Sequence, residues 1–191
     1  MVNVPREQPP PEGEAADTTD KLLPLPLPDD PAGEWVVVRT RPRCEKQVAR
    51  FCETAGIHHY LPLLTSTHTY GARVRSFTNP LFPGYVFCRL KGNQFDGVRQ
   101  QRNVARMLRT PDQHGLVMQL RSIHQALAAS EVVEVLPFLE EGKPVIVKAG
   151  RLKGVEGVIL RLKGKSRVVI NVEMIQQAVA IEVDSQDLGP A

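Results

Sequence analysis

Arginine is the residue whose placement carries the most chemistry in this 191-residue chain. Arg39, Arg41 and Arg43, followed by Lys46, crowd one short stretch; Arg73 and Arg75 form a second group, and Arg99, Arg102, Arg106 and Arg109 a third. A guanidinium stays charged, grips phosphate with paired donors and stacks on exposed bases, so the chemistry on offer is non-covalent binding of a polyanion. A solvated basic surface would use the same residues, and their types alone leave both readings open. Covalent chemistry finds little support. His58-His59 and His68 suggest a metal, but neighbouring histidines on a strand point to opposite faces and no carboxylate is near them in sequence. There is no phosphate-cradling Gly-x-x-x-x-Gly-Lys, nucleophile elbow or His-Glu-x-x-His. The expectation is a protein with no catalytic residues, no metal and no cofactor.

The second group with chemical character is aromatic. Phe82, Tyr85 and Phe87 stand around Pro83-Gly84 in a chain whose aromatic content is only 5%. Residues two apart on a strand share a face, so Tyr85 and Phe87 point one way and Val86 the other. Such a pair suits an interface anchor; it equally suits a core beneath helices. Cys44, Cys52 and Cys88 lack Cys-x-x-Cys spacing, and an odd number fits reduced thiols better than a disulfide framework.

Charge is unevenly spread behind the net +3. Residues 1–33 hold two Lys/Arg against seven Asp/Glu, residues 34–129 fourteen against five, and residues 130–141 four glutamates and no base. A basic block behind an acidic leader points to a polyanionic partner. No apolar run approaches the ~18–20 residues a membrane span needs. The N-terminus lacks a basic head followed by an apolar region. The chain is expected to be soluble and cytoplasmic, with no membrane partner.

The elements that must position these groups follow from periodicity and punctuation. Half of the sixteen prolines lie in residues 1–33, which reads as a disordered Pro-rich acidic leader. Trp35-Val36-Val37-Val38-Arg39 reads as a buried strand. A helix is expected next, with Thr40 as its cap, Pro42 in its first turn, Cys44, Val48, Phe51, Cys52 and Ala55 on its apolar face and Gly56 at its end. A strand from Ile57 to Leu64 follows. Two polar arms around Gly71-Ala72 make a projecting hairpin, and Leu81 to Leu90 is a further strand. A short helix over Asn93 to Gln101, a strand at Val104 to Arg109 and a helix from His114 to Ala129 complete residues 34–131. The acidic stretch 132–141 reads as a linker with a short strand at Val132 to Leu136. Residues 142–188 then read as four or five short strands closing into a small barrel. The fold class is therefore α+β: an N-terminal α/β sandwich with a mostly antiparallel sheet, then a small C-terminal β-barrel.

Two sets of residues carry a family resemblance. Val145-x-Val147-x-x-Gly150-x-x-x-Gly154-x-x-Gly157-Val158 resembles a KOW domain, an SH3-like barrel. Trp35-Val36-Val37 together with Pro80-Leu81-Phe82-Pro83-Gly84-Tyr85-Val86-Phe87 resembles the N-terminal domain of NusG-family proteins. The resemblance runs from residue 34 to about 188, and implies a non-enzymatic transcription elongation factor that modulates pausing, termination or antitermination. It implies docking of Phe82, Tyr85 and Phe87 on the coiled coil of the largest RNA polymerase subunit. It also implies contact of Arg39, Arg41, Arg43, Arg73, Arg75, Arg99 and Arg102 with non-template DNA or nascent RNA. Through the KOW domain it implies a further partner such as Rho or a ribosomal protein, for a protein acting as a monomer. The leader and hairpin resemble the specialised RfaH-type paralogues. In some of these the C-terminal domain folds as a helical hairpin over the polymerase site; the glycines and β-branched runs here predict a stable barrel instead, loosely tethered, with the aromatic patch open. The competing reading is an RNA-binding or ribosome-associated KOW protein that acts without polymerase.

Overall fold

The computed structural model describes residues 33–70, 73–129, 133–139, 142–162 and 165–191. Apart from Gly33, the leader lies outside the described residues, as does the Gly71-Ala72 turn. The fold is α+β, and its sheets are antiparallel. The first sheet has the order β2-β5-β1-β6, built from β1 (Glu34–Thr40), β2 (His58–Tyr60), β5 (Tyr85–Leu90) and β6 (Val104–Arg109). Strand pleating sends its two faces into different cores. Val36, Val38, Val86, Cys88 and Leu90 pack with Val48 and Cys52 of α1 (Glu45–Thr54) and Val98 of α2 (Gln94–Arg99). Trp35, Val37 and Phe87 face the other way, into a cluster with Leu116, Leu120 and Ile123 of α3 (Gln113–Ala129).

Several boundaries differ from those the sequence suggests, each for a local reason. The first strand continues to Thr40, and the helix begins only at Glu45 with Cys44 as its cap. Arg41 to Arg43 form the turn between them, and Arg43 takes a left-handed backbone at φ 61°. Neither Thr40 nor Pro42 starts the helix. Pro62 interrupts the strand expected over Ile57 to Leu64, leaving β2 and then β3 (Leu63–Tyr70). β3 pairs with β4 (Arg73–Pro80) as a separate two-stranded sheet, with Tyr70 opposite Arg73. Leu81 to Gly84 are not strand but the turn into β5, where Gly84 has φ 90°, a conformation glycine reaches without steric cost.

The C-terminal sheet has six strands in the order β12-β8-β9-β10-β11-β7. They are β7 (Val133–Pro137), β8 (Lys143–Val147), β9 (Glu156–Leu162), β10 (Lys165–Val172), β11 (Gln177–Val183) and β12 (Leu188–Pro190). The short strand in the acidic stretch is present as β7, paired with β11. β12 and β7 stand at the two ends of that order. Val145 and Val147 are buried on β8, Gly150 and Gly154 stand between β8 and β9, and Gly157 and Val158 lie on β9 opposite Val145 and Pro144. A Cβ at Gly157 would run into the Val169 carbonyl, so this glycine is set by close strand approach.

The loose tether and open aromatic patch expected from the acidic linker are not what the structure shows. α3 packs against both β1 and β10. One apolar cluster runs from Trp35 and Phe87 through Leu120 and Ile123 to Val168 and Ile170. The Gln125 side-chain amide donates to the Lys153 carbonyl at 2.6 Å. The physical reason lies in α3 itself: beside the stripe of Leu116, Leu120, Ile123 and Leu127, Val117 on one flank and Ala126 on the other also pack on the cluster, an apolar surface wider than one stripe. No helix among the described residues is long and apolar enough to cross a membrane.

Candidate functional site

The site forms where β1 ends. Cross-strand register places Arg39 opposite Tyr85 on one side and opposite Arg106 on the other. Residues opposite one another in a sheet point to the same face, so Tyr85, Arg39 and Arg106 form a row across three strands. The next row inward, Phe87, Val37 and Leu108, is apolar. The chemistry of this face therefore changes within one step of the pleat. Two arginines directly opposite repel, a cost that an anion held between them would offset.

Beyond the row, the turn Arg41–Arg43 is fixed by backbone bonds. Thr40 N donates to Gly84 O at 2.8 Å, Arg41 N to Asn103 O at 2.9 Å, and Cys44 N to Arg41 O at 3.1 Å. The buried Glu45 carboxylate accepts from Gly84 N at 2.6 Å, tying the start of α1 to the turn that precedes Tyr85. Asn103 in turn donates through its side chain to Gln47 at 2.8 Å. These bonds hold Arg43 in its left-handed conformation, the kind of local strain that collects at functional surfaces.

A cleft of about 970 Å³ opens at this corner, lined by Arg39, Arg41, Arg43, Lys46 and Tyr85, with Gln177 of β11 on its far side. None of its four cations makes an ion pair among the described residues; Lys46 donates instead to the Thr78 carbonyl. Glu45, the acid in the lining, is turned toward Gly84. Thr40, 5% exposed, and Gln177 each bring a buried side-chain oxygen without a hydrogen-bond partner among the described residues. The electrostatic character is that of an anion receptor with a half-buried aromatic ring at its edge.

The other arginines are placed differently. Arg99 pairs with Asp96 at 3.5 Å on α2. Arg109 is held by Glu34 through Nε at 2.8 Å and also through Nη2, and its guanidinium lies 5.2 Å from the Phe95 ring centre. The hydrogen bond from Arg109 is the main reason the Glu34 carboxyl sits below its ordinary value. Arg99, Arg106 and Arg109 line a smaller groove of about 300 Å³, and Arg102 is exposed in the turn before β6. Arg73 and Arg75 stand on β4, opposite Tyr70 and His68, in a sheet separate from the one carrying Arg39. The structure thus gathers Arg39, Arg41 and Arg43 with Lys46. Arg106, in register with Arg39, belongs to the same face, which strand spacing alone does not reveal.

The aromatic set also divides. Phe82 and Phe87 are 1% and 0% exposed, with ring centres 6.2 Å apart in an edge-on contact. Tyr60 lies 6.4 Å from Phe87, and His124 of α3 meets Tyr60 edge-on at 5.9 Å. Burial pushes the Tyr60 hydroxyl up and the His124 imidazole down. Of the three aromatics expected at an interface, Tyr85 alone reaches the surface cleft. Cys52 and Cys88 meet at 3.6 Å in the core between α1 and β5, and the contact with Cys52, together with burial, holds the Cys88 thiol well above its ordinary value. Among the described residues no group of His, Cys, Asp or Glu is arranged to hold a metal ion.

A family model described as transcription termination factor NusG matches residues 33–135, more than half of the chain. The chain belongs to the NusG family. Among curated proteins none matches it. The NusG match takes in the whole first sheet, the hairpin, all three helices and the arginine corner. Proteins of the NusG family are transcription factors that interact with RNA polymerase. Within the matched region, Tyr85, Arg39 and Arg106 each combine an accessible position with a shared face.

Proposed function

We propose that this protein regulates transcription elongation by binding RNA polymerase through residues 34–131, and that Tyr85 is the anchor of that contact. The observation that supports this most is the row Tyr85–Arg39–Arg106, whose aromatic ring and first arginine stand at the mouth of a cleft lined by further cations. Phe82 and Phe87 support Tyr85 from below instead of touching the partner. The coiled coil of the largest subunit is the surface it meets. Arg39, Arg41 and Arg43, with Arg73, Arg75, Arg99 and Arg102, face the non-template DNA or nascent RNA close by. Residues 142–188 act as the KOW domain and meet a further partner such as Rho or a ribosomal protein. The effect on pausing, termination or antitermination follows from that partner, in the manner of the RfaH-type paralogues that the leader and hairpin resemble.

Capture of core RNA polymerase by the full chain, measured with and without nucleic acid, tests the reading. Retention of polymerase after nuclease treatment supports it; retention of RNA alone would favour a ribosome-associated or RNA-binding role. The cationic corner makes a second expectation. Each phosphate neutralised on a single strand contributes about 0.7 to the slope of log affinity against log salt. Replacing Arg39, Arg41 and Arg43 together with alanine should therefore shallow the slope for single-stranded DNA by about two units. An unaltered slope in the folded variant would show that the cleft does not grip phosphates.

A further inference from the structure

The cleft at the end of β1 is more basic than its surroundings balance. Arg39, Arg41, Arg43 and Lys46 line it, no carboxylate of the described residues pairs with them, and the single acid in the lining is engaged with a backbone amide. The same chain carries seven Asp/Glu against two Lys/Arg in residues 1–33. We infer that the acidic segment Glu12–Asp20 of this leader occupies the arginine cleft while the protein is free, and that nucleic acid must displace it.

Geometry permits the contact. The leader joins the fold at Gly33, at the start of β1, and the cleft lies at the other end of that strand. Seven strand residues span roughly 23 Å at ~3.3 Å each. Asp20 lies fourteen residues before Glu34, and fourteen extended residues reach about 46 Å, twice the span required. The composition suits the task. Glu12, Glu14, Asp17 and Asp20 contribute four carboxylates with no base among them, matching four cations without an acidic partner among the described residues. Tethering adds to this match, because a short linker presents its segment at an effective concentration on the order of millimolar. An individually weak ionic contact is then substantially formed within the chain and screened by salt, since the Debye length is about 10 Å at 0.1 M. The inference rests on the cleft being the nucleic-acid surface proposed above only in naming what displaces the leader; the docking itself depends on charge and reach.

The test uses the full chain. Cys44→Ser removes the accessible thiol, Cys52 and Cys88 being buried, and Ala16→Cys receives a nitroxide label. The expected result is paramagnetic broadening of the Arg41, Arg43 and Lys46 amides at low salt. It should vanish at high salt and in the variant carrying Glu12→Gln, Glu14→Gln, Asp17→Asn and Asp20→Asn. The unlabelled neutral variant should also bind single-stranded DNA about threefold more tightly at low salt, the gain expected when a tethered competitor is lost. Absence of broadening, or equal broadening in the neutral variant, overturns the inference. So does tighter DNA binding without broadening, which would mean that net charge alone acts. Broadening transferred between labelled and isotope-enriched copies would move the leader to a second molecule and contradict docking within the chain. If broadening appears as expected but neither protein binds DNA, leader docking stands and the nucleic-acid reading of the cleft falls.

Discussion

Phe87→Ala is expected to lower the stability of the fold by about 3–5 kcal/mol, the usual cost of deleting a fully buried phenyl ring. Phe87 is 0% exposed and pairs in register with Val37 on one side and Tyr60 on the other. Its ring meets Phe82 edge-on and Tyr60 at a tilt, so alanine removes both aromatic contacts and leaves a cavity under α3. Against a total stability of about 5–15 kcal/mol, that loss is a large share. Urea unfolding followed by circular dichroism reads it as a fall in midpoint at unchanged slope. A loss below about 1 kcal/mol would mean that the ring is not packed as described, since surface substitutions stay within about that range. The consequence for function is practical: weakened polymerase binding in this variant reports damage to the fold, and cannot by itself place Phe87 in an interface.

Tyr85→Ala should behave in the opposite way. Tyr85 is half-buried at the cleft mouth, on the same face as Phe87 but one row further out. Truncating an aromatic anchor at the centre of an interface costs about 2 kcal/mol or more, equivalent to roughly thirtyfold in affinity. The expected result is a variant with an unfolding midpoint close to wild type and polymerase affinity reduced about thirtyfold. Titrating labelled protein with core polymerase gives the affinity, and the same urea experiment controls for folding. Arg39 stands directly opposite Tyr85 in the strand register, so Arg39→Ala and Tyr85→Ala should not be additive, as neighbours that share a partner seldom are. Unchanged affinity in folded Tyr85→Ala would remove this residue from the contact.

The contrast between these two residues shows how far sequence reasoning reaches. A period of two establishes that Tyr85 and Phe87 share a face, and the structure agrees. It does not say which of them is covered, because the cover comes from α3, at residues 113–129, far from β5 in sequence. β1, β6 and α3 were legible because each is a continuous apolar or periodic run with clear punctuation. The start of α1 was not. Thr40 and Pro42 satisfy the local rules for a helix start, but Thr40 N and Arg41 N bond to Gly84 and Asn103, and those distant partners extend the strand. The pairing of Arg39 with Arg106 is likewise a matter of register between strands 67 residues apart, and nothing in the spacing of either segment encodes it. The packing of α3 on β10 was hidden for a related reason: an acidic linker with Pro137 suggests separation, while the extra apolar residues of α3 decide the matter.

The central claim, that this NusG-family chain meets RNA polymerase at the mouth of its arginine cleft, is tested most directly by a photocrosslinker placed at residue 85. With benzoylphenylalanine in place of Tyr85, the full chain is mixed with core RNA polymerase, irradiated, and the adduct mapped by mass spectrometry. The account predicts a covalent adduct on the coiled coil of the largest subunit, persisting after nuclease treatment and competed by unlabelled wild-type protein. Adducts confined to nucleic acid, or no adduct with polymerase while the same label at an exposed position such as Arg102 does react, would contradict it.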